Sequence, residues 1–242
     1  MKQFFFSLIL LFGLNIYSQE NSKKNGLYKS YFENGQLRLL ENFKDGLRNG
    51  LVKIYFENGQ LLVSGNFKND NPDGVHKFYF ENGNLDRKIN FKDYKKDGLW
   101  RFFFNNEQLK LEEKWKNGKK DGLFKSYFEN GQLKTEQNYT NDKKDGLFKS
   151  YFENGQLETE QNYRNGLSDG LFKSYFENGQ LSIILYDKNG VQDGLSKFYY
   201  ENGQLQSEGY WKDGLKHGLF KSYLDNGKLF IEENYKNGEK IN

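Results

Sequence analysis

The stretch Gly122-Leu-Phe-Lys-Ser-Tyr-Phe-Glu-Asn-Gly-Gln-Leu133 decides the fold of this 242-residue chain. It recurs unchanged at Gly146–Leu157 and Gly170–Leu181, and with one change at Gly26–Leu37. The first glycine of a copy returns every 24 residues without insertion, at Gly26, Gly50, Gly74, Gly98, Gly122, Gly146, Gly170, Gly194 and Gly218. A fixed period of this kind predicts a repeat protein in which each copy is one supersecondary unit.

Each copy is predicted to form a β-hairpin, because Asn130-Gly131 lies between two runs of alternating apolar and polar residues. An Asn-Gly pair favours a two-residue type I′ turn, in which both residues adopt positive φ. With this turn, Lys125 faces Glu136 and Phe128 faces Leu133 across the hairpin. The same register predicts further pairs of opposite charge, at Arg101–Glu112, Lys149–Glu160, Lys197–Glu208 and Lys221–Glu232.

The predicted register also places an aromatic side chain across from the first glycine of several copies. These pairs are Gly26–Phe43, Gly98–Trp115, Gly194–Trp211 and Gly218–Tyr235. An aromatic ring that covers a cross-strand glycine fills the space of the missing side chain. One side of each hairpin therefore collects rings, as at Phe124 and Tyr139, and we name it the aromatic face. The opposite side carries Lys125 and Glu136, and we name it the charged face.

Nine hairpins in series predict an all-β protein, built as a single elongated antiparallel sheet of nine tandem 24-residue repeats. We expect about 18 strands, with looser turns such as Asn117–Asp121 between hairpins. Glu107 replaces the turn glycine of the fourth copy, so that turn is expected to be strained or of another type. Asp187 replaces the aromatic residue of the seventh copy, where we expect a bulge or a local register change. Since the aromatic face has no second layer, either the sheet curls over it, or two molecules pack, or a partner covers it.

The composition excludes several function classes. The chain has 36 Lys and Arg against 33 Asp and Glu, and this near-balance gives no electrostatic reason to expect nucleic acid as a partner. Cysteine is absent, which excludes a disulfide, a thiolate metal site and a thiol nucleophile. Aromatic residues make up 18% of the chain and favour strands over helices.

The first residues predict a targeting segment. Lys2 precedes the apolar run Phe4–Leu14, and Ser18 offers a small residue before a cleavage point. The run is shorter than the roughly 20 residues that span a bilayer. The sequence therefore predicts a secretory signal peptide over residues 1–18, a polar lead over 19–25 and the repeats over 26–242, with an uncleaved anchor as the alternative. The mature chain is expected to be exported, to the periplasm or outside the cell.

No constellation of residues within a copy predicts catalysis. His76 and His217 lie nearly six periods apart, so they cannot share a metal site or act as an acid–base pair. The glutamates of the hairpin turns recur about 10 Å apart, which does not suit paired glycosidase carboxylates. In the segment Asp187–Asp193, calcium is an alternative to ordinary turn chemistry, which favours Asp and Asn in any case. We predict a protein that is not an enzyme, with no catalytic, cofactor or metal site.

The aromatic residues have two interpretations. Ladders of Phe and Tyr replace a core in a thin sheet, and we favour this interpretation for most positions. Alternatively, the rings form a stacking platform for sugars or an apolar groove for a partner. Because Trp is enriched among the residues that dominate interfaces, Trp100, Trp115 and Trp211 are the candidate partner contacts.

The pattern Gly-x-x-x-x-Tyr-x-x-Asn-Gly-x-Leu, followed by an aromatic residue and a segment such as Lys-Lys-Asp-Gly, resembles the MORN-repeat variant family. The resemblance covers Gly26 to the C-terminus and implies an elongated sheet that serves as a scaffold or interaction surface. Many bacterial members are labelled as antitoxin components of toxin–antitoxin modules. We therefore expect a secreted or periplasmic scaffold that binds another protein of unidentified kind, with a toxin and a second copy joined end to end among the candidates. A surface that binds carbohydrate or lipid is the alternative.

Overall fold

The computed structural model describes residues 24–241, and every regular element within them is a β-strand. The 23 strands belong to one antiparallel sheet, which confirms the predicted all-β class. The signal peptide predicted over residues 1–18, and the lead up to Lys23, lie outside the described residues. No helix in the described part of the chain is long and apolar enough to cross a membrane.

The chain divides into two compact units, the first ending at Asp97 and the second beginning at Gly98. The strands of unit 1 are β1 (Gly26–Tyr31), β2 (Leu37–Lys44), β3 (Leu47–Arg48), β4 (Gly50–Tyr55), β5 (Leu61–Lys68), β6 (Asn71–Tyr79), β7 (Leu85–Lys92) and β8 (Lys95–Lys96). Those of unit 2 are β9 (Gly98–Phe103), β10 (Leu109–Lys116), β11 (Lys119–Lys120), β12 (Gly122–Tyr127), β13 (Leu133–Thr140), β14 (Lys143–Tyr151), β15 (Leu157–Arg164), β16 (Leu167–Tyr175), β17 (Leu181–Lys188), β18 (Val191–Gln192), β19 (Gly194–Tyr199), β20 (Leu205–Lys212), β21 (Leu215–Tyr223), β22 (Leu229–Lys236) and β23 (Glu239–Ile241).

The predicted register is confirmed over most of each hairpin. In the fifth copy, Gly122 pairs with Tyr139 and Lys125 pairs with Glu136. The other predicted charge pairs and glycine–aromatic pairs also lie opposite each other. A shift by one residue would move every side chain to the other face, so the alternation of ring-bearing and charged positions holds the strands in this alignment.

The turn of each hairpin differs from the predicted type I′ turn. The Phe128 N–H donates to the Gln132 carbonyl at 2.8 Å, and the Gly131 N–H donates to the Phe128 carbonyl at 3.0 Å. Gly131 has a φ of +87°, but Asn130 is not among the positive-φ residues. This is a three-residue loop closed by a glycine bulge. Leu133 consequently pairs with Tyr127, and the predicted pair of Leu133 with Phe128 is wrong.

The asparagine of the Asn-Gly pair acts through its side chain rather than through its backbone. Asn130 Oδ1 accepts the Gln132 N–H at 2.9 Å, and Asn130 Nδ2 donates to the Glu153 carbonyl of the next turn at 3.4 Å. The same two bonds recur at Asn34, Asn58, Asn106, Asn154, Asn178 and Asn202. Each such asparagine therefore ties one hairpin turn to the next.

Type I′ turns occur instead between hairpins, where looser turns were expected. Asn117 and Gly118 have φ values of 52° and 85°, and Lys116 pairs with Lys119 around them. Two consecutive residues of positive φ give the twist that a two-residue hairpin requires. These tight connections explain why there are 23 strands rather than about 18, since they add the short strands β3, β8, β11, β18 and β23.

The two irregular copies keep the common geometry. Glu107 has a φ of 67°, and its turn makes the same hydrogen bonds as the others, so the expected strain is present but the turn type is unchanged. Asp187 pairs with Gly170 in the common register, so the bulge or register change expected there is wrong. The neighbouring pairs along β16 and β17 fix the alignment, and an aromatic residue at this one position is not required for it.

The core of unit 1 lies on the aromatic face and includes one histidine. His76 is 4% exposed, and its ring lies 5.3 Å from the Phe67 ring and 5.3 Å from the Phe91 ring. Gly65 lies beneath it, where a Cβ would collide with the imidazole. Its Nε2 is 2.8 Å from the Asn66 carbonyl. Burial lowers the pKa of His76, although the Asn66 hydrogen bond and Asp73 oppose the shift.

Replacing Glu107 by glycine is expected to raise the free energy of unfolding by about 1 kcal/mol, because a non-glycine residue at positive φ is strained by roughly that amount. Chemical denaturation measures the change. Gly131→Glu, at the same position of the next hairpin, is the matched control and should lower the free energy of unfolding. Equal stability of Glu107→Gly and the parent chain would show that this turn holds glutamate without strain.

His76→Phe is expected to reduce the loss of stability in acid. Since the folded-state pKa of His76 is lowered, its contribution is complete above the unfolded pKa of about 6.5 and is lost as the pH falls through the folded pKa. Phenylalanine should fit, because Phe220 lies over Gly209 in the same way. Thermal melts at about pH 7.5 and about pH 5 measure the effect. An equal drop in the melting temperature of both proteins would rule out His76 as the source.

Candidate functional site

Lysines cover several rings of the aromatic face, which supports the interpretation of the ring ladder as a core. Lys120 Nζ lies 5.7 Å from the Trp115 ring centre, 5.3 Å from that of Phe124 and 5.4 Å from that of Tyr139. The same ammonium group is 2.8 Å from Oε1 of the buried Glu113. A cation over a ring is stabilising, and the paired carboxylate compensates its charge. These groups are partners of one another within the sheet.

The three tryptophans lie in different environments. Trp100 is 8% exposed and packs on Trp115 with 5.4 Å between ring centres, so it offers little surface to a partner. Trp115 is half-buried, and its Nε1 donates to Glu113 Oε2 at 2.9 Å. Trp211 is half-buried, and its Nε1 donates to Ser196 Oγ at 3.0 Å. The structure brings Trp100 and Trp115 together, while Trp211 belongs to the eighth hairpin.

A cavity of about 190 Å³ opens beside Trp211 on the aromatic face. It arises because Ser196 stands where the other hairpins have the larger residues Tyr28, Val52, His76, Trp100, Phe124, Phe148, Phe172 and Phe220. The lining includes Phe198, Phe220 and Ile231, together with hydroxyl groups and the charged side chains Lys216 and Glu233. The cavity is smaller than the roughly 300–1,000 Å³ of typical small-molecule pockets, and most of its lining residues are polar or charged.

The charged face of unit 2 carries a row of alternating charges, which we name the charge row. Paired positions in successive strands hold Arg101, Glu112, Lys125, Glu136, Lys149, Glu160, Lys173, Ile184, Lys197, Glu208, Lys221 and Glu232. Ion pairs form at Arg101–Glu112 (2.6 Å), Lys173–Glu160 (2.9 Å), Lys197–Glu208 (3.2 Å) and Lys221–Glu232 (3.5 Å). Because these side chains are partly exposed, each ion pair contributes at most about 1 kcal/mol.

Tyrosines border the charge row and interact with its carboxylates. The Tyr151 hydroxyl donates to Glu136 Oε1 at 3.1 Å. Burial, followed by the charge of Glu136 and this hydrogen bond, raises the pKa of Tyr151. The hydrogen bond between Lys173 and Glu160 likewise raises the pKa of Lys173. These shifts keep the tyrosine neutral and the lysine charged, and neither change creates a nucleophile or a general base at neutral pH.

In each unit, one exposed aliphatic side chain per hairpin forms a second row on the charged face, next to the row of charged positions, and we name these positions the aliphatic row. Its members follow the first glycine of each copy and are Leu27, Leu51, Val75, Leu99, Leu123, Leu147, Leu171, Leu195 and Leu219. All except the half-buried Leu171 are between 37% and 55% exposed. Leu123 lies opposite Asn138, and the polar partner leaves its side chain uncovered. This row was not predicted from the sequence, although the aliphatic residue that regularly follows the first glycine of a copy was its signal.

The predicted absence of metal and catalytic sites remains a prediction. Among residues 24–241 no group of three or more His, Cys, Asp or Glu side chains is placed to hold a metal ion. His76 is enclosed in unit 1, while His217 is half-buried in unit 2 opposite Tyr210. Asp187, in the segment considered for calcium, lies on β17 opposite Gly170 and Gln192.

Two solved structures are distantly similar to the chain, and no curated protein matches it. A crystal structure described as TcdB2-TccC3-Cdc42 is 14% identical, with a TM-score of 0.23, and the match covers 88% of this chain and 12% of that one. The crystal structure of a porin-like protein from Bacteroides uniformis ATCC 8492 is 8% identical, with a TM-score of 0.19, and the match covers 89% of this chain and 91% of that one. The chain thus spans 12% of the length of the first structure.

The sequence profile of the MORN repeat variant matches nine consecutive segments, at residues 24–45, 48–69, 72–93, 96–117, 120–141, 144–165, 168–189, 192–213 and 216–237. Each match begins two residues before the first glycine of a copy and ends at the first residue of a type I′ turn. The matches therefore follow the hairpins of the structure one by one. Since they cover most of its residues, the chain belongs to the MORN repeat variant family.

Proposed function

We propose that this protein is an exported, non-catalytic scaffold that binds another protein through its charged face. The observation that carries the proposal is the aliphatic row, which repeats the same exposed side chain along the sheet. Single exposed leucines are ordinary, but a regular row of them is a mark of interaction surfaces. The general role of a repeat scaffold belongs to the family, whereas export, partner and the lack of catalysis are proposals for this chain.

The repetition favours a partner that contacts several hairpins at once. Equivalent positions of successive hairpins are separated by two strand spacings, or about 10 Å. Weak contacts at such intervals add up, because after the first contact the others form within one complex. A partner with matching periodic apolar side chains would therefore bind tightly although no single leucine is deeply buried.

Two kinds of protein partner remain proposals. A toxin that acts outside the cytoplasm would agree with the proposed export through residues 1–18 and give the chain an antitoxin role. A second copy, joined end to end, is supported by Phe230, which is 70% exposed on β22.

If hairpins five to seven form the contact surface, joint replacement of Leu123, Leu147 and Leu171 by glutamine is expected to abolish partner capture. Each single replacement should weaken capture by less than about threefold, because the other two hairpins remain. The measurement is cross-linked capture from the envelope and medium of the source cell, read by mass spectrometry. The matched control replaces Leu47, Leu167 and Leu215, which are similarly exposed but lie outside the aliphatic row. This control should leave capture unchanged.

Loss of capture by any one of the single variants would contradict a surface in which many hairpins share the contact. An identical loss in the control variant would show that exposed leucines act non-specifically. A toxin as the dominant captured protein would support the antitoxin role, and a copy of the chain itself would support end-to-end assembly. Recovery of polysaccharide or lipid alone would contradict the proposed protein scaffold.

A surface that binds carbohydrate or lipid is the second candidate function, and the cavity beside Trp211 favours it. If a sugar ring or lipid tail enters this cavity, Ser196→Phe should fill it and abolish binding, as should Trp211→Ala. Binding of the parent chain to a glycan array and to phospholipid vesicles is the measurement. Trp115→Ala is the comparison, since Trp115 lies outside the lining of the cavity. Absence of binding by the parent chain would remove this candidate.

A further inference from the structure

Unit 1 has an equivalent row on its own charged face, with a different composition. Its paired positions hold Lys29, Leu40, Lys53, Ser64, Lys77 and Lys88, in that order. The first strands still contribute a lysine, but the second strands contribute Leu40, Ser64 and Lys88 where most hairpins of unit 2 contribute a glutamate. Unit 1 therefore has four lysines in this row and no carboxylate between them.

None of these four lysines forms an ion pair with another described residue. Lys77 lies directly opposite Lys88, and like charges in facing positions of two strands repel each other. Asp73, four residues before Lys77, does not reach it within ion-pair distance. Unit 1 has ion pairs at Arg48–Asp70 and Arg87–Asp86, and neither belongs to the row. The row is thus an uncompensated cationic strip.

The aliphatic row runs beside this strip. Leu27, Leu51 and Val75 are 55%, 38% and 41% exposed, and each lies two residues before a lysine of the strip, on the same face of its strand. A ligand that covers both rows needs carboxylates for the lysines and apolar groups for the aliphatic side chains. Acidic polysaccharides and nucleic acids supply negative charge, but they do not supply a matching row of aliphatic groups.

We propose that the charged face of unit 1 binds an acidic protein segment in which carboxylates alternate with apolar side chains. The carboxylates take the place that glutamates of the second strands occupy in the charge row of unit 2, where Lys197 meets Glu208 at 3.2 Å. The apolar side chains cover Leu27, Leu51 and Val75. This inference rests on the proposed binding function and specifies the chemistry of the partner for one part of the surface.

Lys88→Glu tests the proposal, because later hairpins have a glutamate at the equivalent position, as at Glu112 and Glu136. It should raise the melting temperature by about 2 °C, since it removes a like-charge pair and creates an opposite-charge one. It should also weaken binding of a synthetic peptide of alternating Glu and Leu by about tenfold. A general loss of folding cannot produce this combination of a more stable chain and weaker binding.

Ile184→Glu is the matched control. Ile184 lies between Lys173 and Lys197 in the charge row of unit 2, so a glutamate there should stabilise the chain in the same way. Binding of the peptide should not change, because the cationic strip of unit 1 is untouched. Calorimetric titration of the full chain, as recovered from expressing cells, measures the affinity at low and at high salt, and added salt should weaken binding by the parent chain.

Three outcomes would overturn the proposal. They are unchanged peptide affinity in Lys88→Glu, equal weakening in Ile184→Glu, and equal affinity of the parent chain for the peptide and for a sulfated polysaccharide. The last would assign the strip to polyanions in general. If the leucine variants of unit 2 abolish partner capture while Lys88→Glu leaves peptide affinity intact, the scaffold function stands and only this inference fails.

Discussion

Cross-strand register is the constraint on which this structure depends. A sheet with no second layer among its described residues has no large core to correct a misaligned strand, so each alignment must be fixed locally. Two turn types alternate along the chain, a three-residue loop with a glycine bulge within hairpins and a type I′ turn between them. Because both turns have fixed lengths, Lys125 lies opposite Glu136, and Glu136 lies opposite Lys149 of the next hairpin. The charge row and the ring ladder are results of this alignment.

Polar and charged residues make up an unusually large fraction of the buried side chains. Glu41, His76, Glu113, Gln137, Gln161 and Ser196 are buried on the aromatic face together with aliphatic and aromatic side chains. Buried polar atoms need partners. Trp115 and Lys120 supply them to Glu113, and the Gln161 amide donates to the Asn162 carbonyl at 3.0 Å. Burial raises the pKa of Glu41, where Arg48 and Lys24 oppose the shift. The aromatic face is therefore held by rings, cations and amides acting together.

Much of the fold could be read from the sequence, because a repeat supplies the same pattern nine times. The hairpins, the pairing of Lys125 with Glu136 and the ring opposite Gly194 all followed from alternation around Asn-Gly. The turn types did not, because Asn-Gly serves both turns. The φ of Asn130 and the backbone hydrogen bond between Phe128 and Gln132 show which turn forms within a hairpin. The surface was harder to predict. The exposure of Leu123 depends on the small polar residue Asn138 opposite it. The cavity at Ser196 becomes apparent only when this serine is compared with the larger residues at the same position of the other eight hairpins.

The constancy of the period has a consequence for how such a chain can change. The stretch from Gly122 to Leu133 is identical to those that begin at Gly146 and Gly170. Excision of one whole period would place Glu112 beside Lys149 instead of Lys125, and the new junction would reproduce an existing one. Exchange between identical copies can thus lengthen or shorten the protein in whole steps while each junction stays compatible. The number of hairpins can therefore change during evolution without a change in the chemistry of the surface.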